Sequence, residues 1–211
     1  MRDGALSVNA RFNLMIDGGA AVTRRILAAL ALCWLASGAL AATLGGVTLP
    51  DTYAVDGRIL QLNGIGLRTY SIFRVRIYVA GLYLVRPSHD ANAIIASPDP
   101  KVVRLLFIHG GSKAEVQKHY LEGQAHDCGD GGCDPADQSD FERLLAVVPA
   151  VESGDTTTFV FANNGFKVLA NDRLIGEFAN PDLAHHMLDG FIGSHPPTRA
   201  LRSQLLGLPP D

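Results

Sequence analysis

The stretch that most constrains this chain runs from Arg58 to Arg86, RILQLNGIGLRTYSIFRVRIYVAGLYLVR. It is long, free of proline and rich in β-branched and aromatic residues. Its second half alternates. Phe73, Val75, Ile77, Val79, Tyr83 and Val85 fall on one side of an extended chain. Arg74, Arg76 and Tyr78 fall on the other, followed by Ala80, Leu82 and Leu84. A period of two over this length predicts a strand with its first set in a core. The second set is polar and then apolar, so a helix or loop is expected over its far half only.

The first half bears on function. Run straight, it puts Leu60, Leu62, Gly64, Gly66, Arg68 and Tyr70 on one face. Glycines inside a strand leave room for a ligand or another backbone. A guanidinium on a covered face needs an anionic or hydrogen-bonding partner. One reading is a pocket with a bare floor at Gly64 and Gly66 and a cationic head at Arg68. A plainer reading stays open: Asn63-Gly64 is a hairpin turn and Arg68 points to water.

Before this stretch, residues 24–42, RRILAALALCWLASGALAA, read as a secretory signal. Arg24 and Arg25 supply the charge, Ile26 to Leu35 the apolar run and Ala39-Leu40-Ala41 the cleavage site, predicted after Ala41. A spanning helix needs about 20 unbroken apolar residues, and Ser37 and Gly38 interrupt this run. No stable membrane anchor is therefore expected after cleavage. The chain divides into an N-terminal extension with signal, 1–41, and a domain, 42–211, placed in the periplasm or outside the cell. Met15 is an alternative start. Without residues 1–41 the chain has 14 basic and 19 acidic side chains, a net charge of −5. That excess of acid argues against nucleic acid as a partner.

Cys128 and Cys133, in HDCGDGGCD, flank three glycines. In an oxidising compartment they read as a local disulfide. A metal site built on His126 and these cysteines lacks a second ligand pair at zinc spacing, so no metal is expected. No cofactor motif is present: there is no G-x-S-x-G, and Gly64-Ile65-Gly66 is too short to cradle a phosphate.

The remaining elements follow from local signals. Gly46 to Leu49 is expected to start the sheet, and Lys101 to His109 to add a strand. Ser112 with Glu115 forms a capping box for a helix whose Val116 and Tyr120 face the sheet. Pro135 to Val148 is a helix with an apolar stripe at Phe141, Leu144, Leu145 and Val148. Thr156 to Phe178 is an antiparallel meander with turns at Asn163-Asn164-Gly165 and Asn171-Asp172. Pro181 opens a helix that Gly193 stops, and a last helix spans Pro197 to Leu206. Strand runs and helix runs are segregated, which favours α+β over alternating βαβ units.

LNGIGLR, then IYVAGLYL, then GFIGSHPPTRALRSQLLG, in this order and spacing, resemble the chalcone isomerase-like family over residues 43–207. The resemblance implies an open-faced β-sandwich of chalcone isomerase type: a large antiparallel sheet with helices on one face and a ligand cleft between them. It matches Arg68 to the arginine with which the plant isomerases hold a reactive phenolate, and Tyr78 to their hydroxyl residue on the next strand. It sets Ser112 where those enzymes carry a catalytic tyrosine and His119 where they carry a binding asparagine. The catalytic set is thus incomplete, and the arginine with an apolar cleft remains. This points to a small apolar or phenolic ligand, a fatty acid or similar anion, held at Arg68, Tyr78, Gly64 and Gly66. The alternatives are an isomerase acting on a chalcone-like enone, and a non-catalytic envelope protein whose cleft is filled.

Overall fold

The computed structural model describes residues 41–127 and 133–209. Residues 24–40 of the predicted signal and Cys128 lie outside the described residues. The strands are β1 (Ala42–Leu44), β2 (Val47–Leu49), β3 (Thr52–Val55), β4 (Arg58–Tyr70), β5 (Val75–Leu84), β6 (Lys101–Phe107), β7 (Thr156–Ala162), β8 (Gly165–Ala170) and β9 (Arg173–Phe178). The helices are α1 (Ala91–Ala96), α2 (Lys113–Asp127), α3 (Pro135–Val147), α4 (Pro181–Ile192) and α5 (Arg199–Leu205).

Strands β3 to β9 form one seven-stranded sheet in chain order, every neighbouring pair antiparallel. Helical side chains cover one face. Leu82, Val103, Phe159 and Val168 of the sheet meet Leu144, Leu188, Ile192 and Leu201 in the main core. This is the α+β, open-faced arrangement expected. The other face carries a smaller cluster of Leu60, Tyr83, Val102 and Val160.

The start of the sheet differs from expectation. Val47–Leu49 pairs with Ala42–Leu44 in a separate two-stranded hairpin. Its Leu49 is buried on the outer face, where Gly81 has no side chain to exclude it. The edge strand of the large sheet is β3, which turns through Asp56-Gly57 at positive φ into β4. Four residues are too few to show an alternation.

The face expected for β4 is also corrected. The register shifts between Leu62 and Gly64, so Asn63 is an extra residue, a β-bulge. Leu60 and Leu62 therefore belong to the outer cluster with Tyr83. Gly64, Gly66 and Arg68 pair with Leu82, Ala80 and Tyr78 and face the helices. Asn63-Gly64 is not a turn. The Asn63 side chain donates to Leu205 O (2.9 Å) and accepts from Ser88 N (2.7 Å), which holds the bulge in place.

A third difference concerns Phe73 and Val75, expected in the core. Residues 71–74 form the β4–β5 turn, with Ser71 and Arg74 at positive φ. Phe73 is 83% and Val75 39% exposed. Their alternation is genuine, but the neighbouring strands and helices end before reaching them.

Candidate functional site

The site begins with how α5 reaches the sheet. A Cβ on Gly64 would overlap the carbonyl oxygens of Gln204 and Leu205. One on Gly66 would lie 2.8 Å from Leu201 Cδ1 and 3.0 Å from Leu201 O. The two glycines let a helix backbone lie directly on a strand. Two polar bonds lock the contact: Leu67 N donates to Gln204 Oε1 at 3.0 Å, and Asn63 Nδ2 to Leu205 O. Gly64 and Gly66 are thus seats for α5 and do not line a ligand space, which corrects their assignment as a pocket floor.

That docking places the loop before α5 over Arg68. Thr198 caps α5, and Arg68 Nη1 donates to the carbonyl of Pro197. Arg68 is half-buried and forms no ion pair among the described residues. A guanidinium offers five N–H groups, so one backbone acceptor leaves most of its capacity open.

Beside Arg68 lies a cavity of about 300 Å³ between the sheet and α2, α3 and α4. Leu105, Phe107, Val116, Phe141, Ile175, Leu183, Met187 and Phe191 make its walls apolar. Arg68, Tyr78, Tyr120 and Thr157 bring polar groups into it, and exposed His119, Glu122 and His195 stand at its edge. Tyr78 is the cross-strand partner of Arg68, and its ring meets Phe107 edge-on with centroids 5.8 Å apart. Burial pushes the Tyr78 phenol up to about 12, an effect the Arg68 charge partly offsets. Burial, and secondarily the nearness of Tyr78, raises the Tyr120 phenol as well. Arg68 therefore lies beside the phenol of Tyr78, with that of Tyr120 close to Tyr78, and both phenols are neutral at ordinary pH. A guanidinium and two phenolic O–H groups are all donors, a set suited to an anion.

The structure brings Arg68 and Tyr78 together as expected and adds Tyr120, Thr157 and the Pro197 carbonyl, which sequence reasoning did not assign to the site. Tyr120 had a signal, its spacing from Val116. Thr157 had one too, since it shares an alternation with Phe159 and Phe161. Pro197 had none, because it arrives from the far end of the chain. Ser112 stays out of the cavity: its hydroxyl and Glu115 complete the capping box of α2. His119 lines the cavity, pairs with Glu122 at 3.2 Å and meets the Tyr70 ring.

Donor atoms of Cys133, Asp137 and His186 lie within 4.8 Å of one another. The Asp137 carboxylate already accepts from Asn180 Nδ2 and Asp134 N, and Cys133 already has a partner. This set does not offer three open ligands.

No curated protein matches the chain in sequence. The fold is similar to the crystal structure of a fatty-acid binding protein of Arabidopsis thaliana, with a TM-score of 0.66 at 15% identity, over 79% of this chain and 96% of that one. A family model described as chalcone isomerase-like matches residues 41–207. The chain belongs to the chalcone isomerase-like family.

Proposed function

We propose that this chain is an exported carrier that holds a small apolar anion, a fatty acid or similar carboxylate, in the cavity beside Arg68. The observation that carries the reading is the combination of an apolar space of about 300 Å³ with a guanidinium that has no carboxylate partner among the described residues. The ligand carboxylate accepts from Arg68 and from the neutral hydroxyls of Tyr78 and Tyr120, and its tail lies against Leu105, Phe107 and Phe191. The name of the Arabidopsis neighbour supports the ligand class. The open cavity counts against a filled, purely structural cleft. Export and a Cys128–Cys133 disulfide belong to the same proposal, and intact mass under reducing and non-reducing conditions tests both.

The isomerase reading rests on the same donors, which also suit charge developing on a carbonyl oxygen. One set of measurements separates the two. Lipid extracted from the purified protein is identified by mass spectrometry, fatty-acid affinity is measured for the parent and for Arg68→Ala, and chalcone cyclisation is assayed. A carrier binds the acid and loses about 10- to 100-fold in affinity with Arg68→Ala, the worth of a charge-assisted bond. No binding by the parent, or equal binding by the variant, overturns the reading. Cyclisation well above the spontaneous rate replaces it with the enzyme.

A further inference from the structure

The turn between β4 and β5 is the most apolar exposed feature among the described residues. Ile72 is 90% and Phe73 83% exposed, and Tyr70 and Val75 are each 39% exposed. Four of the nine exposed large hydrophobics thus fall within six consecutive residues. Among the described residues no third strand supports this segment. Pairing of β5 with β6 begins at Tyr78 and Phe107, and β3 pairs with β4 only at Arg58–Gln61. Residues 69–76 are therefore a two-stranded arm, held at its base where Arg76 Nη1 donates to Gly45 O (3.1 Å).

The charge on this arm opposes that of the chain. Residues 58–89 contain five arginines and no aspartate or glutamate, in a protein of net charge −3. Arg58 and Arg86 pair with Asp99 at the far end, and Arg68 is in the cavity. Arg74 and Arg76 flank the exposed apolar residues and have no carboxylate partner among the described residues. Glu122, the carboxylate at the cavity edge, is already paired with His119 and Lys118.

We infer that this arm is a wedge that docks on an anionic lipid bilayer, with Ile72 and Phe73 in the acyl region and Arg74 and Arg76 at the phosphates. A turn of four residues cannot supply the roughly 800 Å² per partner of a stable protein interface. Insertion of two large side chains with flanking arginines and an interfacial tyrosine needs no such area. The arm also leads to the cavity. Arg68 and Tyr78 lie four residues from Ile72 and Arg74 respectively, roughly 13 Å along a strand. Docking therefore sets the cavity mouth near the headgroups, where the carboxylate of a lipid acid lies. This use of the wedge, to load and release cargo, rests on the carrier reading above. The docking itself does not.

The chain has a single tryptophan, Trp34. The full-length gene product, isolated from an exporting cell, is compared with Phe73→Trp and with Leu174→Trp, an exposed site on β9. The vesicles are phosphatidylcholine with brominated acyl chains, with and without phosphatidylglycerol. The expected result is a blue shift and quenching in Phe73→Trp only, dependent on phosphatidylglycerol. Ile72→Ser with Phe73→Ser is expected to weaken vesicle co-sedimentation by about tenfold or more, and Arg74→Gln with Arg76→Gln to abolish the lipid-charge dependence. Equal or absent quenching at the two sites overturns the proposal. So does a parent that self-associates through the arm and is made monomeric by the serine pair, since the occupant is then a second copy. Binding of a fluorescent fatty acid by the serine variants is read in parallel. Docking without acid binding in the parent sinks the carrier reading alone, and acid binding without docking sinks the wedge alone.

Discussion

Gly64 has no room for a methyl group, because two carbonyl oxygens of α5 occupy that space. Backbone cannot step aside as a side chain end can. Gly64→Ala is therefore expected to lower stability by about 3 kcal/mol, read from the urea midpoint. Gly66→Ala should cost less, since its nearest obstacle is the movable Leu201 Cδ1. Because α5 carries the loop that positions Arg68, the Gly64 variant should also bind the acid more weakly while still folded. A direct floor role would instead spare stability. Tyr83 shows the reverse case. Its hydroxyl is buried without a hydrogen-bond partner among the described residues. An unsatisfied buried donor costs about 1–3 kcal/mol, so Tyr83→Phe should raise stability by about 1 kcal/mol, seen as a higher Tm.

At the scale of elements, the bulge at Asn63 decides which face β4 presents. Without it Gly64 and Arg68 would turn outward and α5 would have no seat. Asn63→Ala removes two hydrogen bonds that fix the extra residue and joins Leu205 and Ser88 to nothing. The expected loss is about 2 kcal/mol, with the α5 amides exchanging faster in hydrogen-exchange measurements. This bulge also marks where sequence reading stopped. Alternation correctly separated Tyr83 from Leu82 and Leu84 on β5, and the Ser112 cap, Pro135 and Pro181 located the starts of α2, α3 and α4. Periodicity assumes an even count, however, so an inserted residue flips every later assignment unseen. It carries no information on where neighbouring strands end either, which is why Phe73 and Val75 read as core. Arg68 was found from its place after the two glycines of β4, and Tyr78 from the family resemblance. The Pro197 carbonyl was not, since the contact spans 129 residues.

At the scale of the whole molecule, three buried phenols couple folding to alkaline pH. Burial pushes Tyr78 and Tyr83 up to about 12 and raises Tyr120 as well. Below pH 10 these phenols are neutral in both folded and unfolded chains and add no pH dependence. Between pH 10 and 12 the unfolded chain releases protons that the folded chain keeps, so stability falls as pH rises. A phenol that releases its proton near pH 12 rather than 10 takes on the order of 2 kcal/mol from folding by pH 12. Lys101, lowered by burial, acts with opposite sign, because the folded chain gives up that proton first. Three phenols outweigh one ammonium. Phenolate absorbance for Tyr78, Tyr83 and Tyr120 should therefore appear cooperatively, together with loss of circular dichroism, above pH 10. Tyr83→Phe should move that transition upward in pH. Smooth ionisation of Tyr78 and Tyr120, the two that line the cavity, near pH 10 with the fold intact would show that water reaches the cavity freely, and the dry polar end on which carboxylate capture depends would be lost.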